Sequence, residues 1–72
     1  MTALEVLGHN LLKYRKEQGY TQEALANELG MSVCNLRKIE HGTGNPEIKT
    51  LIKLASHLHI GIADFFQESN IA

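Results

Sequence analysis

Two short apolar helical faces, separated by one glycine and a serine, constrain this chain more than anything else in it. Between Thr21 and His41 the sequence runs TQEALANELGMSVCNLRKIEH. Thr21 is a good N-cap, and Glu23 places a negative charge in the first turn, where the helix dipole favours it. Leu25, Ala26 and Leu29 then share one face at helical spacing. Gly30 follows at once, where a helix ends in the left-handed conformation that glycine adopts without strain. Ser32 caps a second helix, whose Leu36 and Ile39 form another apolar face. Faces so close in sequence bury each other only if the helices cross steeply over a three-residue turn, and small Ala26 allows the approach.

The rest of the chain supplies helices to pack around this pair. Ala3 to about Gln18 predicts an amphipathic helix, with Leu4, Leu7, Leu11, Tyr14 and Gln18 on one side and Glu5, Lys13, Lys16 and Glu17 outward. Gly19 stops it. His41-Gly42-Thr43-Gly44 reads as a loop, and Asn45-Pro46 as an N-cap followed by proline at the first helical position. The fourth helix is expected to bury Ile48, Leu51, Ile52, Leu54, Ala55 and Leu58, leaving Lys49 and Lys53 in water. After a break at His59-Ile60-Gly61, a fifth helix runs from Ile62 to about Glu68, and Ser69 to Ala72 form a tail. No strand, repeat, linker or low-complexity segment interrupts this pattern. The expected fold is one all-α, compact five-helix domain over residues 1–72, with the helix-turn-helix formed by helices 2 and 3.

Composition excludes several function classes. Seventy-two residues at 43% hydrophobic and 21% charged make a small globular domain, near the lower limit for a core stable by packing alone. No apolar run approaches the ~20 residues of a membrane span. The N-terminus lacks a positive region and a cleavage pattern, and the single cysteine cannot form an internal disulfide, which fits a reducing cytoplasm. There is no glycine-rich phosphate loop, no nucleophile elbow and no carboxylate pair in a cleft, so no enzyme and no cofactor are expected. His9, His41, His57 and His59 lack metal-ligand spacing, and no metal site is expected.

With these residues in place, the chain resembles the lambdoid phage repressor and Cro (Xre) family of helix-turn-helix DNA-binding proteins. Gln22 opens the first motif helix, Ala26 comes four residues later, Gly30 four after that, and Leu36 six after Gly30. Agreement extends through Leu7-Gly8, Tyr14-Arg15, Gly19 to Gln22, Ile39 to Gly42, Asn45-Pro46, Leu51 to Leu58 and Phe65-Phe66, roughly residues 4–67. The resemblance implies an ion pair between Arg15 and Glu40, joining the first helix to the third. It also implies that Gln22 holds a DNA phosphate at its helix N-terminus. Family members with a second glutamine at the start of the recognition helix brace it against the first. Here that place is Val33, so their base preference does not transfer.

The recognition helix itself, residues 33–40, would lie in the major groove. At ~100° per residue, Leu36, Ile39 and Glu40 define its inner side. Cys34, Arg37, Lys38 and His41 face away, flanked by Val33 and Asn35. Arg37 and Lys38 can donate to guanine O6 and N7, whereas Val33 and Cys34 offer apolar contact to a thymine methyl. The competing reading of both cations is a solvated face or plain phosphate contact. Asn35, His41 and Thr43 join Gln22 as expected phosphate contacts.

Charge argues for weak single-domain affinity. The formal net charge is −1 and the sequence pI about 6.4, although residues 33–53 carry a local +2 and residues 54–72 a local −2. A homodimer on a palindromic operator would double the contact. A domain this small can bury Ile62 and one phenylalanine, leaving the other partly outside beside Ile60. Ile60, Ile62, Phe65, Phe66 and Ile71 are therefore the expected dimer interface. The expected function is transcriptional regulation through double-stranded DNA, controlled by concentration or a protein partner. The rival reading is an antitoxin-type or oligomerisation protein whose main partner is another protein.

Overall fold

The first helix begins with a reciprocal cap. Thr2 Oγ1 accepts the Glu5 N–H, while the Glu5 carboxylate takes the Thr2 N–H at 2.8 Å, starting α1 over Ala3–Glu17. The hydrogen bonds with Thr2 hold the Glu5 carboxyl below its ordinary pKa. Thr21 Oγ1 accepts the Ala24 N–H at 3.0 Å and opens α2, Gln22–Leu29, which ends on Gly30 at φ 66°, ψ 30°. Ser32 Oγ accepts the Asn35 N–H at 3.0 Å and opens α3, Val33–Glu40. α4 spans Ile48–His57, and two 3-10 turns follow, Ile62–Phe66 and Glu68–Asn70. This computed structural model describes residues 1–71, and no strand occurs among them. Ala72 of the expected tail lies outside the described residues.

One core serves the four helices and the first 3-10 turn. Leu7 and Leu11 of α1, Leu25 and Ala26 of α2, and Leu36 and Ile39 of α3 meet Leu51, Leu54, Ala55 and Leu58 beneath Phe65. α1 and α3 approach so closely that a Cβ built on Gly8 would lie 2.5 Å from the Glu40 carbonyl oxygen and 2.7 Å from that of Ile39. A glycine costs an α-helix about 1 kcal/mol against alanine. Here the missing side chain is what admits the end of α3.

Four expectations need correction. The fifth helix is a five-residue 3-10 turn, and Ser69 and Asn70 belong to a second turn rather than to a tail. In an α-helix the Phe65 carbonyl would accept an N–H four residues on; Asn10 Nδ2 takes it instead at 2.8 Å, and Gln67 is already extended. The fourth helix starts two residues later than Asn45-Pro46 suggests. The Thr43 and Gly44 N–H groups both donate to the Lys38 carbonyl at 3.0 Å, folding the loop back onto α3. Glu47 becomes the extended N-cap without a side-chain hydrogen bond.

Two isoleucines expected in the core are outside. Ile48 is 64% and Ile52 51% exposed, because Leu51, Leu54, Ala55 and Leu58 occupy the inner face and leave both residues on its flank. Finally, Gln18 is exposed rather than on the buried side of α1. It ends the helix, and its side-chain amide reaches the Leu58 carbonyl.

Candidate nucleic-acid interface

α3 presents two unlike sides. Leu36 and Ile39 are buried, whereas Cys34, Asn35, Arg37, Lys38 and His41 are exposed and Val33 is half-buried. The predicted base-contact set therefore occupies the outer side and edge of one short helix. Ser32 caps that helix, and His41 closes it. Thr43 is exposed just beyond, its hydroxyl donating to the Lys38 carbonyl at 3.3 Å. Asn35, Lys38 and Thr43 share a cleft of about 390 Å³ between α3 and the loop that leads to α4.

The inner side is anchored by a polar cluster as well as by the core. Arg15 Nε donates to Glu40 Oε2 at 2.6 Å and Arg15 Nη2 to Glu40 Oε1 at 3.1 Å, a bidentate pair whose side chains are 8% and 2% exposed. Arg15 Nη1 donates to the Tyr20 carbonyl at 2.8 Å. Gln22 Nε2 donates to Glu40 Oε1 at 2.9 Å. One carboxylate at the end of α3 thus receives donors from α1 and from the start of α2, and the arginine also holds the turn between them. A carboxylate has about four acceptor sites, enough for all three bonds.

The link between Gln22 and Glu40 was not anticipated. Val33 removes the side chain that would brace Gln22 from the start of α3, and Glu40 braces it from the other end of the same helix. Spare acceptor capacity on a carboxylate paired with arginine was the only sequence signal for it. Gln22 keeps its second N–H and its Oε1 for other partners.

A second polar cluster lies away from α3. The Tyr20 hydroxyl is 3.2 Å from His57 Nε2, which is 3.4 Å from Glu28 Oε2. Burial, followed by the charge and hydrogen bond of Glu28, raises the Tyr20 pKa. The partners of His57, Tyr20 and Glu28, lie far from it along the chain and leave no periodic trace in the sequence. Among the described residues, no group of three histidine, cysteine, aspartate or glutamate side chains is placed to hold a metal ion.

The predicted association residues divide. Phe65 is 0% exposed and belongs to the core, so it is removed from the expected interface: the turn that seats it directs its neighbour outward. Phe66 is 40% exposed. Ile60 and Ile62 are half-buried and pack on the core edge. Ile71 is half-buried near Met1 and Val6.

Comparison with known proteins gives a consistent result. The family profile described as Helix-turn-helix (HTH_3) matches residues 11–65. The CTXphi transcriptional repressor RstR of Vibrio cholerae serotype O1 is 38% identical over 52 residues, 72% of this chain and 46% of the repressor. The uncharacterized HTH-type transcriptional regulator YazB of Bacillus subtilis is 39% identical over 56 residues, 78% of this chain and 81% of that protein. This chain thus spans less than half of the phage repressor but most of the Bacillus protein. Among solved structures, the restriction-modification controller protein C.AhdI from Aeromonas hydrophila superposes with a TM-score of 0.82 at 30% identity, covering 88% of this chain and 96% of that one. No helix of the described residues is long and apolar enough to cross a membrane.

Proposed function

The chain belongs to the Helix-turn-helix (HTH_3) family, and from that membership we propose that it is a cytoplasmic regulator of transcription that binds a palindromic operator as a homodimer. α3 enters the major groove with Arg37 and Lys38 toward base edges and Val33 and Cys34 toward thymine methyl groups. The second N–H of Gln22, together with Asn35, His41 and Thr43, contacts phosphates and sets the register. The observation that carries this reading is the asymmetry of α3. Its inner side is clamped to α1 and α2 through Glu40, while its outer side holds two exposed cations with no ion-pair partner among the described residues.

Low net charge makes association necessary. With few cations to displace counterions, one subunit binds DNA weakly, and two subunits on two half-sites restore affinity. Phe66 is the apolar centre of the proposed two-fold contact, with Ile60, Ile62 and Ile71 at its margin. Similarity to a restriction-modification controller protein and to a phage repressor supports a role at promoters.

Selection of bound fragments from a random DNA pool tests this function. The expected enrichment is a palindrome whose half-site centres lie ~34 Å apart. Recovery of no enriched sequence would refute it. Exposed Ile48 and Ile52 on α4 favour a second reading, in which a protein partner is the main ligand. A failed DNA selection would leave that reading in place.

A further inference from the structure

Asn10 is 1% exposed and stands in the middle of α1, where the helical pattern calls for an apolar side chain. Its Nδ2 donates to the Phe65 carbonyl at 2.8 Å and to the Gln67 carbonyl at 3.1 Å. Two carbonyls opposite one side chain fix the amide orientation, since only the nitrogen end can serve both. The Oδ1 end is buried without a hydrogen-bond partner among the described residues. Leaving a buried acceptor unpaired opposes folding. An apolar side chain of similar size would avoid that cost at Oδ1 but would leave the Phe65 and Gln67 carbonyls without their donor. The two donors are therefore what the amide contributes here.

Those donors straddle a single residue. Phe66 lies between the two carbonyls, and its neighbour Phe65 is sunk in the core while Phe66 is 40% exposed. At three residues per 3-10 turn, adjacent side chains diverge by about 120°. Gripping the backbone on both sides of Phe66 fixes where its ring stands outside. Other backbone hydrogen bonds nearby are local: Gln67 N–H to Asp64 at 3.5 Å and Ile71 N–H to Glu68 at 3.0 Å. A segment held in this way has been ordered before it meets anything, which removes part of the cost of association.

We propose that Asn10 is a positioning residue for self-association, holding Phe66 in place to meet a second copy of this chain. The inference rests on the homodimer reading above. It predicts that loosening the clasp weakens the dimer without removing any side chain from its interface. Asn10→Asp keeps the shape but sets a donor-free carboxylate against two carbonyls. Asn10→Leu removes the donors, releases both carbonyls and fills the space with an apolar side chain.

Sedimentation equilibrium of the full chain measures the dimer dissociation constant, with thermal melting alongside. Both variants should fold and raise that constant by about tenfold or more. Thr21→Ala, which loses a cap on α2, should lower melting temperature yet leave the dimer constant unchanged. If Asn10→Asp does not fold, Asn10→Leu decides the matter. Wild-type protein that is monomeric at micromolar concentration overturns the dimer reading and this inference with it. Wild-type dimer with folded Asn10 variants that associate equally tightly overturns this inference alone. So does Thr21→Ala weakening the dimer as much as they do.

Discussion

Replacing Gly8 with alanine sets two effects of opposite sign against each other. Helix propensity favours alanine by about 1 kcal/mol in the interior of α1. Packing opposes it, because the new Cβ would lie 2.5 Å from the Glu40 carbonyl oxygen, 2.7 Å from that of Ile39 and 2.9 Å from the Glu40 carbonyl carbon. All three are backbone atoms, so no side chain can rotate aside, and α1 and α3 must move apart by several tenths of an ångström. Overpacking costs ~1–3 kcal/mol, and three simultaneous backbone contacts put this site at the upper end. The net loss is then about 2 kcal/mol. At roughly 4–8 °C per kcal/mol for a domain of this size, the melting temperature should fall by about 8–16 °C. Because the obstructed carbonyls end α3, operator affinity measured well below the melting temperature should fall as well. Circular dichroism melting of the two proteins decides the sign. A variant that melts at or above the wild-type temperature would refute the close approach of α1 and α3.

Three further outcomes follow from the polar contacts. Arg15→Ala leaves the Glu40 carboxylate buried without its main partner, and should cost ~3 kcal/mol or more while weakening DNA binding; an unchanged melting temperature would remove the clamp from the account. Lys38→Ala should relax base preference at particular operator positions, whereas Gln22→Ala should weaken binding evenly across sequences. Uniform loss from both variants in a base-substitution series would make Lys38 a phosphate contact only. The Glu5 carboxyl has a lowered pKa in the folded chain, so its stabilising contribution is full above the ordinary carboxylate pKa and is lost as pH falls through the lowered value. The melting-temperature gap between wild type and Glu5→Gln should therefore close with acidification, and a gap independent of pH would contradict the cap.

What local chemistry dictates was legible in the chain itself. Caps at Thr21 and Ser32, the left-handed Gly30 and the 3.6-residue spacing of Leu25, Leu29, Leu36 and Ile39 define the two motif helices without reference to anything distant. The outward placement of Arg37 and Lys38 comes from the same periodicity, whereas the pairing of Arg15 with Glu40 was implied by the family resemblance. Limited core volume was enough to anticipate that one of two adjacent phenylalanines would stay outside, but the choice of Phe65 as the buried one came from the tertiary fold.

Only that fold decided the remaining features, because each depends on a group far away along the chain. Asn10 looks like an ordinary polar helix residue until carbonyls 55 and 57 positions later are set against it. Gly8 is an unexplained weak point in α1 until the end of α3 arrives at its Cα. Ile48 and Ile52 carry the hydropathy of core residues, but the inner face of α4 is already filled. Gln22 finds Glu40 because the Arg15 pair leaves acceptor sites open. Periodicity and capping determine which face of a helix is apolar and where the helix begins and ends; the backbone or side chain that meets each face is fixed only when the helices pack.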